Sequence, residues 1–171
     1  DTAIAYIRAN GRIYSGPPVE AVRAQVPAGG GTVQVSQPGT PVTGLGITVP
    51  QGSYTSTREF VVSYAPVTGH GMGEDFTPLT PLITVQNGGG YADEPMTLCI
   101  PINLPPDHFA MAFFYDHVTG ELEGIPPVRL DRDMICVATR HFSQEIVGLG
   151  KNAAGAAVPY IQLIVAAVAK S

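Results

Sequence analysis

Short strand-like segments separated by turn residues run through most of this chain. Glycine and proline clusters interrupt it about every eight to twelve residues. Strand-length segments lie between these clusters, at 59–64, 82–86, 95–100, 109–115, 121–125 and 146–147, and most of them are rich in β-branched and aromatic residues. No helix-length pattern alternates with these segments, so we do not expect a parallel sheet. The pattern predicts an all-β fold, and within that class an antiparallel β-sandwich.

The composition limits the size and the partners of this fold. With 171 residues, of which 44% are hydrophobic, the chain is large enough for one domain with a proper core. Its 20 glycines and 16 prolines fit a protein with many turns. The net charge is -5 and no basic tract is present, so we expect no nucleic-acid partner.

The N-terminal part of the chain precedes the main pattern. Residues 2–8 alternate and lead into Asn10-Gly11, a turn signal that predicts a hairpin with its return strand at Ile13. Valines three and four residues apart in 17–26 are compatible with a short helix. We therefore assign residues 1–28 to an N-terminal hairpin and extension, and residues 29–150 to the sandwich.

Residues 151–171 form an apolar, alanine-rich C-terminal segment. A helix starting near Val158 would be about 16 Å long, short of the roughly 30 Å hydrocarbon core of a membrane. Three interpretations remain open. The segment is a helix packed on the domain or on a partner, or it is a truncated membrane anchor, or it is a final strand. Membrane association would depend on this segment alone.

The two cysteines, Cys99 and Cys136, both fall within predicted strands. Their spacing fits no zinc site, because neither a Cys-x-x-Cys nor a His-x-x-x-His pattern accompanies them. They are either two buried thiols or a disulfide between strands. A disulfide would imply an oxidising compartment.

The tripeptide His141-Phe142-Ser143 follows a predicted strand over 134–140 and carries the most reactive combination in the chain. The Ser143 hydroxyl follows the Phe142 carbonyl directly, and an imidazole lies one residue further back. These are the groups needed to cut the backbone between Phe142 and Ser143, with His141 as the general base. The same residues can equally serve packing at the end of a strand.

Other candidate sites have weaker signals. Residues 67–76 form a glycine-rich polar stretch that we expect to be a surface loop, although it contains His70, Glu74 and Asp75. The adjacent pairs Asp107-His108 and Asp116-His117 lie beside predicted turns, where we expect them to be solvated. We expect no cofactor, no metal site and no external substrate.

Six short motifs between Gly29 and Gly148 follow one another in the order found in the ZU5 domain, a β-sandwich of netrin receptors, ankyrins and many bacterial surface proteins. They are residues 30–33 (GGTV), 45–52 (LGITVPQG), 80–85 (TPLITV), 95–101 (PMTLCIP), 113–122 (FFYDHVTGEL) and 141–143 (HFS). The chain therefore resembles a ZU5 domain over about 120 residues.

The resemblance implies two functions. Many ZU5 domains are noncatalytic interaction or structural modules, which here implies a module of a larger, bacterial surface or cell-envelope protein, outside the cytoplasm. Its partners would be a protein or other domains of the same polypeptide. The alternative is autoproteolysis, because some ZU5–UPA modules cleave themselves within this tripeptide by an N→O acyl shift and keep both fragments associated. A third possibility is a glycan- or ligand-binding sandwich that uses residues 67–76.

Overall fold

The computed structural model describes residues 8–10, 12–88, 91–141 and 160–170. Throughout these residues the chain is all-β, without a helix, and every strand pair is antiparallel. The strands are β1 (Arg8–Asn10), β2 (Ile13–Ser15), β3 (Val19–Val26), β4 (Gly31–Gln34), β5 (Gly46–Val49), β6 (Arg58–Ala65), β7 (Val67–His70), β8 (Phe76–Pro78), β9 (Leu82–Gln86), β10 (Tyr91–Pro101), β11 (His108–Asp116), β12 (Glu121–Ile125), β13 (Arg129–Leu130), β14 (Met134–His141) and β15 (Tyr160–Ala169).

The described strands form three sheets. The large sheet has the order β1-β12-β11-β15-β9-β6-β3, with β8 paired to the second half of β15. The small sheet has the order β13-β14-β10-β5-β4. A third sheet consists of β2 and β7 and is called the cover sheet below. The expected all-β, sandwich-like fold is therefore confirmed.

The main core lies between the large and small sheets. It combines fully buried residues of the large sheet, such as Phe60 and Ile83, with those of the small sheet, such as Ile47, Leu98 and Ile135. A second apolar cluster lies on the other face of the large sheet, because side chains alternate along a strand. Phe113 and Ile164 belong to this cluster, together with Ile13 of the cover sheet. The central strands of the large sheet, β11 and β15, are thus buried on both faces, whereas the edge strand β3 is largely exposed.

The sequence pattern of strand-forming residues between turn signals predicted most of the strands correctly. β9 and β12 have the bounds expected from the sequence, and β6, β10, β11 and β14 differ from expectation by a few residues at their ends. The turn between β11 and β12 is also as expected: Gly120 has a positive φ of 76° and its N–H bonds the Asp116 carbonyl at 2.7 Å. These elements depend on neighbouring residues only, so the sequence pattern was sufficient for them.

The helix expected over residues 17–26 is wrong, because this segment forms the edge strand β3. β3 pairs with β6, and the register shifts between Glu20 and Val22. Such a bulge inserts an extra residue and disturbs the alternation of side chains. The disturbed spacing of the valines imitates a helical period, which explains the incorrect prediction.

Among the described residues, β1 and β2 do not pair with each other as the expected N-terminal hairpin requires, and residues 2–7 of its first strand lie outside the described residues. β1 pairs with β12, whereas β2 pairs with β7 in the cover sheet. The chain thus passes from one sheet to another at the turn signal. Residues 67–76 also differ from the expected loop, because 67–70 form β7 and Phe76 begins β8. In both cases the partner strand is distant in sequence, which a local pattern does not reveal.

The apolar C-terminal segment contributes a strand to the middle of the large sheet. β15 lies between β11 and β9, and its residues from Leu163 to Ala167 are all buried. A strand buried on both faces is a continuous apolar run, which periodicity does not distinguish from a buried helix. Of the three interpretations, the structure shows the final strand. Among the described residues no helix has the length and hydrophobicity needed to cross a bilayer.

Candidate functional site

The tripeptide His141-Phe142-Ser143 begins where β14 ends. The backbone of His141 pairs with Tyr91, the first residue of β10, and Thr139 pairs with Met96. One residue of β14 therefore faces four residues of β10, which is a pronounced bulge. The His141 side chain, Phe142, Ser143 and the strand expected at 146–147 lie outside the described residues. The structure accordingly places one end of the tripeptide beside a bulge, a feature frequent next to reactive sites.

The loop between β5 and β6 holds this bulge in place. The Asp93 N–H donates to the Ser53 carbonyl at 2.8 Å. The next residue, Tyr54, is buried, and its hydroxyl lies 3.9 Å from the Met96 sulfur. The bulge and the residue that follows it thus contact two consecutive residues of the loop, Asp93 contacting Ser53 and Met96 contacting Tyr54.

A polar network fixes the Tyr54 side chain. Asn87, with 0% exposure, donates from Nδ2 to the Tyr54 hydroxyl. Arg58 lies over the Tyr54 ring at 4.5 Å and donates to the Asn87 carbonyl at 3.1 Å. Burial raises the pKa of the Tyr54 phenol above its usual value, so the ring remains neutral. Sequence reasoning missed this network, because its residues come from separate strands and loops without a shared motif.

Cys99 and Cys136 form a disulfide across β10 and β14. They are direct partners in the register, with their Cα atoms 4.0 Å apart. Their neighbours Leu98 and Val137 point into the main core, so the disulfide lies on the outer face of the small sheet. Of the two interpretations of the cysteines, the structure therefore contains the disulfide. It joins the same two strands that meet at His141 and Tyr91.

The two acid–histidine pairs form no catalytic dyad. Asp116 is only 5% exposed, contrary to the solvated position expected, and its Oδ1 accepts hydrogen bonds from the N–H groups of Val118 and Thr119. The next residue, His117, stacks on Tyr160 instead. Asp107 and His108 also act separately, since the His108 Nδ1 bonds the Pro106 carbonyl at 2.8 Å. Asp116 therefore shapes the turn.

The stretch from 67 to 76 gathers no metal ligands. The Nδ1 of His70 accepts a hydrogen bond from the Met72 N–H at 3.2 Å, which uses one of its two ring nitrogens locally. No group of three or more metal-ligating side chains occurs in the part of the chain that the structure describes.

Comparison with known proteins assigns no family to this arrangement. No protein-family profile matches the chain, and no curated protein sequence matches it either. The described candidate site thus consists of the bulge in β10, the loop contacts through Ser53 and Tyr54, and the disulfide five residues before His141.

Proposed function

We propose that this chain is a noncatalytic, ZU5-like structural and interaction module of a larger surface or cell-envelope protein. Its partners would be a protein or the neighbouring domains of the same polypeptide. The observation that carries the proposal is the disulfide between Cys99 and Cys136, which joins two interior strands of the small sheet. Disulfides persist in oxidising compartments and are rare in the cytosol.

The position of this disulfide suits a module whose strands must stay together when a partner or a neighbouring domain pulls on it. It links β10 to β14, and these strands share seven pairs in the register. A covalent bond across this ladder prevents the two strands from separating when force or a partner acts on the domain.

Counting the free thiols by alkylation and mass spectrometry tests this proposal. The protein is produced in an oxidising compartment, denatured and alkylated, with and without prior reduction. We expect no alkylated cysteine before reduction, two after reduction, and one polypeptide near 17.9 kDa. Two free thiols in the unreduced sample would contradict the proposal. A Cys99→Ala variant is the control, because it should show one free thiol at Cys136.

Self-cleavage between Phe142 and Ser143 is the second candidate, supported by the bulge beside His141. In this reaction the Ser143 Oγ attacks the Phe142 carbonyl carbon, and the C–N bond breaks as an ester forms. His141 takes the hydroxyl proton and passes it to the leaving nitrogen, which becomes a free amine. Water then hydrolyses the ester to the Phe142 carboxylate and the Ser143 hydroxyl. A general base supplies about 10²–10⁴-fold, so backbone distortion must supply more.

The place of β15 supports retention of the C-terminal fragment after such a cut. β15 pairs with β11 over eight residues, with β9 over four and with β8 over three. Its side chains from Leu163 to Ala167 are buried on both faces of the sheet. Fragment 143–171 would therefore remain docked without a covalent link.

Intact mass separates the two candidates. Under denaturing conditions, self-cleavage predicts two polypeptides, 1–142 and 143–171. Under native conditions the two fragments should remain associated in one complex. Ser143→Ala should abolish cleavage. Ser15→Ala, a change at an exposed serine elsewhere, should leave the cleavage unchanged. One undivided species contradicts self-cleavage and is the result that the noncatalytic module predicts.

A further inference from the structure

A pocket of about 380 Å³ opens on the outer face of the large sheet, beside the cover sheet. Its wall combines aromatic and polar side chains from β2, β11 and β15 and from the residues next to them. They include Arg12, Tyr14, Tyr115, His117, Tyr160 and Gln162. The volume lies near the lower end of the range for small-molecule sites. The pocket is distinct from the bulge at His141.

The aromatic side chains form two separate surfaces. The rings of His117 and Tyr160 are stacked, with centroids 5.9 Å apart and an angle of 20° between their planes. Tyr14, which is 57% exposed, stands on the cover sheet. The hydroxyls of Tyr14 and Tyr160 make no hydrogen bond to any residue that the structure describes. Both tyrosines thus offer an apolar ring and an unused hydroxyl to a ligand.

Arg12 supplies hydrogen-bond donors at the pocket. Its Nη1 donates to the His117 carbonyl at 3.3 Å. The guanidinium lies against Gly120, where a Cβ would be 3.1 Å from Nη2. These contacts hold the exposed guanidinium in place. Among the described residues no carboxylate pairs with it, and most of its five N–H groups are unused.

Gln162 supplies an unused acceptor. Its Nε2 bonds the Thr84 hydroxyl at 3.4 Å, whereas its buried Oε1 has no partner in the described residues. A buried acceptor without a partner is costly, so a ligand donor reached by a small rotation of this amide would be stabilising. The Tyr115 hydroxyl is already occupied by Ile13 and serves to position the cover sheet.

We propose that this pocket binds a sugar unit of a glycan. A pyranose ring has an apolar C–H face that packs on a tyrosine ring, and hydroxyls that both donate and accept hydrogen bonds. The hydroxyls of the sugar donate hydrogen bonds to Gln162 Oε1, and the oxygens of the sugar accept hydrogen bonds from the N–H groups of Arg12. A simple anion would use Arg12 and leave the aromatic rings without a function, whereas an apolar ligand would desolvate Arg12 and Gln162 without compensation.

Saturation-transfer NMR and calorimetry on the full chain test this proposal. The probes are the methyl glycosides of glucose, galactose, mannose and N-acetylglucosamine, together with galacturonic acid. We expect saturable binding of at least one probe, weakened about tenfold or more by Tyr14→Ala and by Arg12→Ala, because each removes a main contact. Both residues are exposed, so the variants should keep the fold, as thermal unfolding would verify.

Exposed residues outside the pocket provide matched controls. Phe109→Ala and Arg129→Ala remove an aromatic ring and a guanidinium elsewhere and should leave the affinity unchanged. A preference for galacturonic acid over galactose that Arg12→Ala removes would also support the proposal. Absence of binding to every probe, or binding that both pocket variants retain at full strength, would overturn it.

Discussion

The hydroxyl of Tyr115 bonds both backbone polar groups of Ile13. It accepts from the Ile13 N–H at 3.1 Å and donates to the Ile13 carbonyl at 3.4 Å. Both residues are buried, and 102 positions separate them in the sequence. One side chain of β11 thus attaches the cover sheet to the large sheet and gives β2 its position beside the pocket.

Removal of this hydroxyl should destabilise the protein. Tyr115→Phe keeps the ring but leaves the Ile13 N–H without this partner in a buried position, which costs about 1–3 kcal/mol. Urea unfolding would measure the loss. Tyr14→Phe is the control, since Tyr14 is 57% exposed and should give a change near zero. Equal stabilities of Tyr115→Phe and wild type would show that this hydrogen bond makes no net contribution to the free energy of unfolding.

Loss of the disulfide should destabilise the domain much more. The bond closes a loop with a sequence separation of 37 residues. Loop-closure entropy predicts a loss of about 4 kcal/mol for a loop of this size. The double variant Cys99→Ala/Cys136→Ala should show this loss in denaturant unfolding. Reductant should weaken the wild type and leave the double variant unaffected, and a wild type insensitive to reductant would contradict the expectation.

Two glycines with positive φ allow backbone strain to be separated from steric conflict. Gly39 has a φ of +83° and open space around it, whereas Gly30 has a φ of +92° and a Cβ there would lie 2.6 Å from the Val49 carbonyl oxygen. Gly39→Ala should therefore cost about 1–2 kcal/mol from the left-handed conformation alone.

Gly30→Ala should cost more, about 2–5 kcal/mol, because the backbone of the turn before β4 must also move. Thermal unfolding of both variants measures the difference. A Gly30→Ala variant as stable as Gly39→Ala would show that the turn adapts to the extra carbon without cost.

Stability should fall at high pH because of two partly buried tyrosines. Burial raises the pKa of Tyr54 and the pKa of Tyr160 above the usual value near 10. The unfolded chain loses these protons at lower pH than the folded chain does, so stability is unchanged below about pH 10 and decreases above it. Denaturant unfolding at pH 8 and above pH 10 would show the decrease. It should be smaller in Tyr54→Phe than in the exposed control Tyr14→Phe.

Local patterns predicted the parts of the fold whose cause is local. β9 and β12 follow from strand-length segments between turn signals, and the turn after Asp116 follows from its Asp and Gly. The predictions failed where a strand depends on a distant partner. β3 was taken for a helix because a bulge against β6 changes its side-chain period, and β2 was paired with the wrong strand.

The candidate site was only partly accessible to sequence reasoning. The motif at His141 was visible, but the bulge opposite it depends on the register of β10 against β14. The pocket residues Arg12, His117 and Tyr160 share no motif, and no local pattern connects them. Asp116 was expected in solvent, whereas the turn it caps places it at 5% exposure.

The amino-acid sequence by itself determined the all-β class, most strands and the tight turns, because alternation and turn residues act over a few neighbouring positions. Only the tertiary structure decided that Cys99 faces Cys136, that β15 fills the middle of the large sheet, and that Tyr115 holds Ile13. Each of these depends on which strands become neighbours. That choice follows from the joint burial of apolar faces from distant segments, which no short stretch of sequence contains.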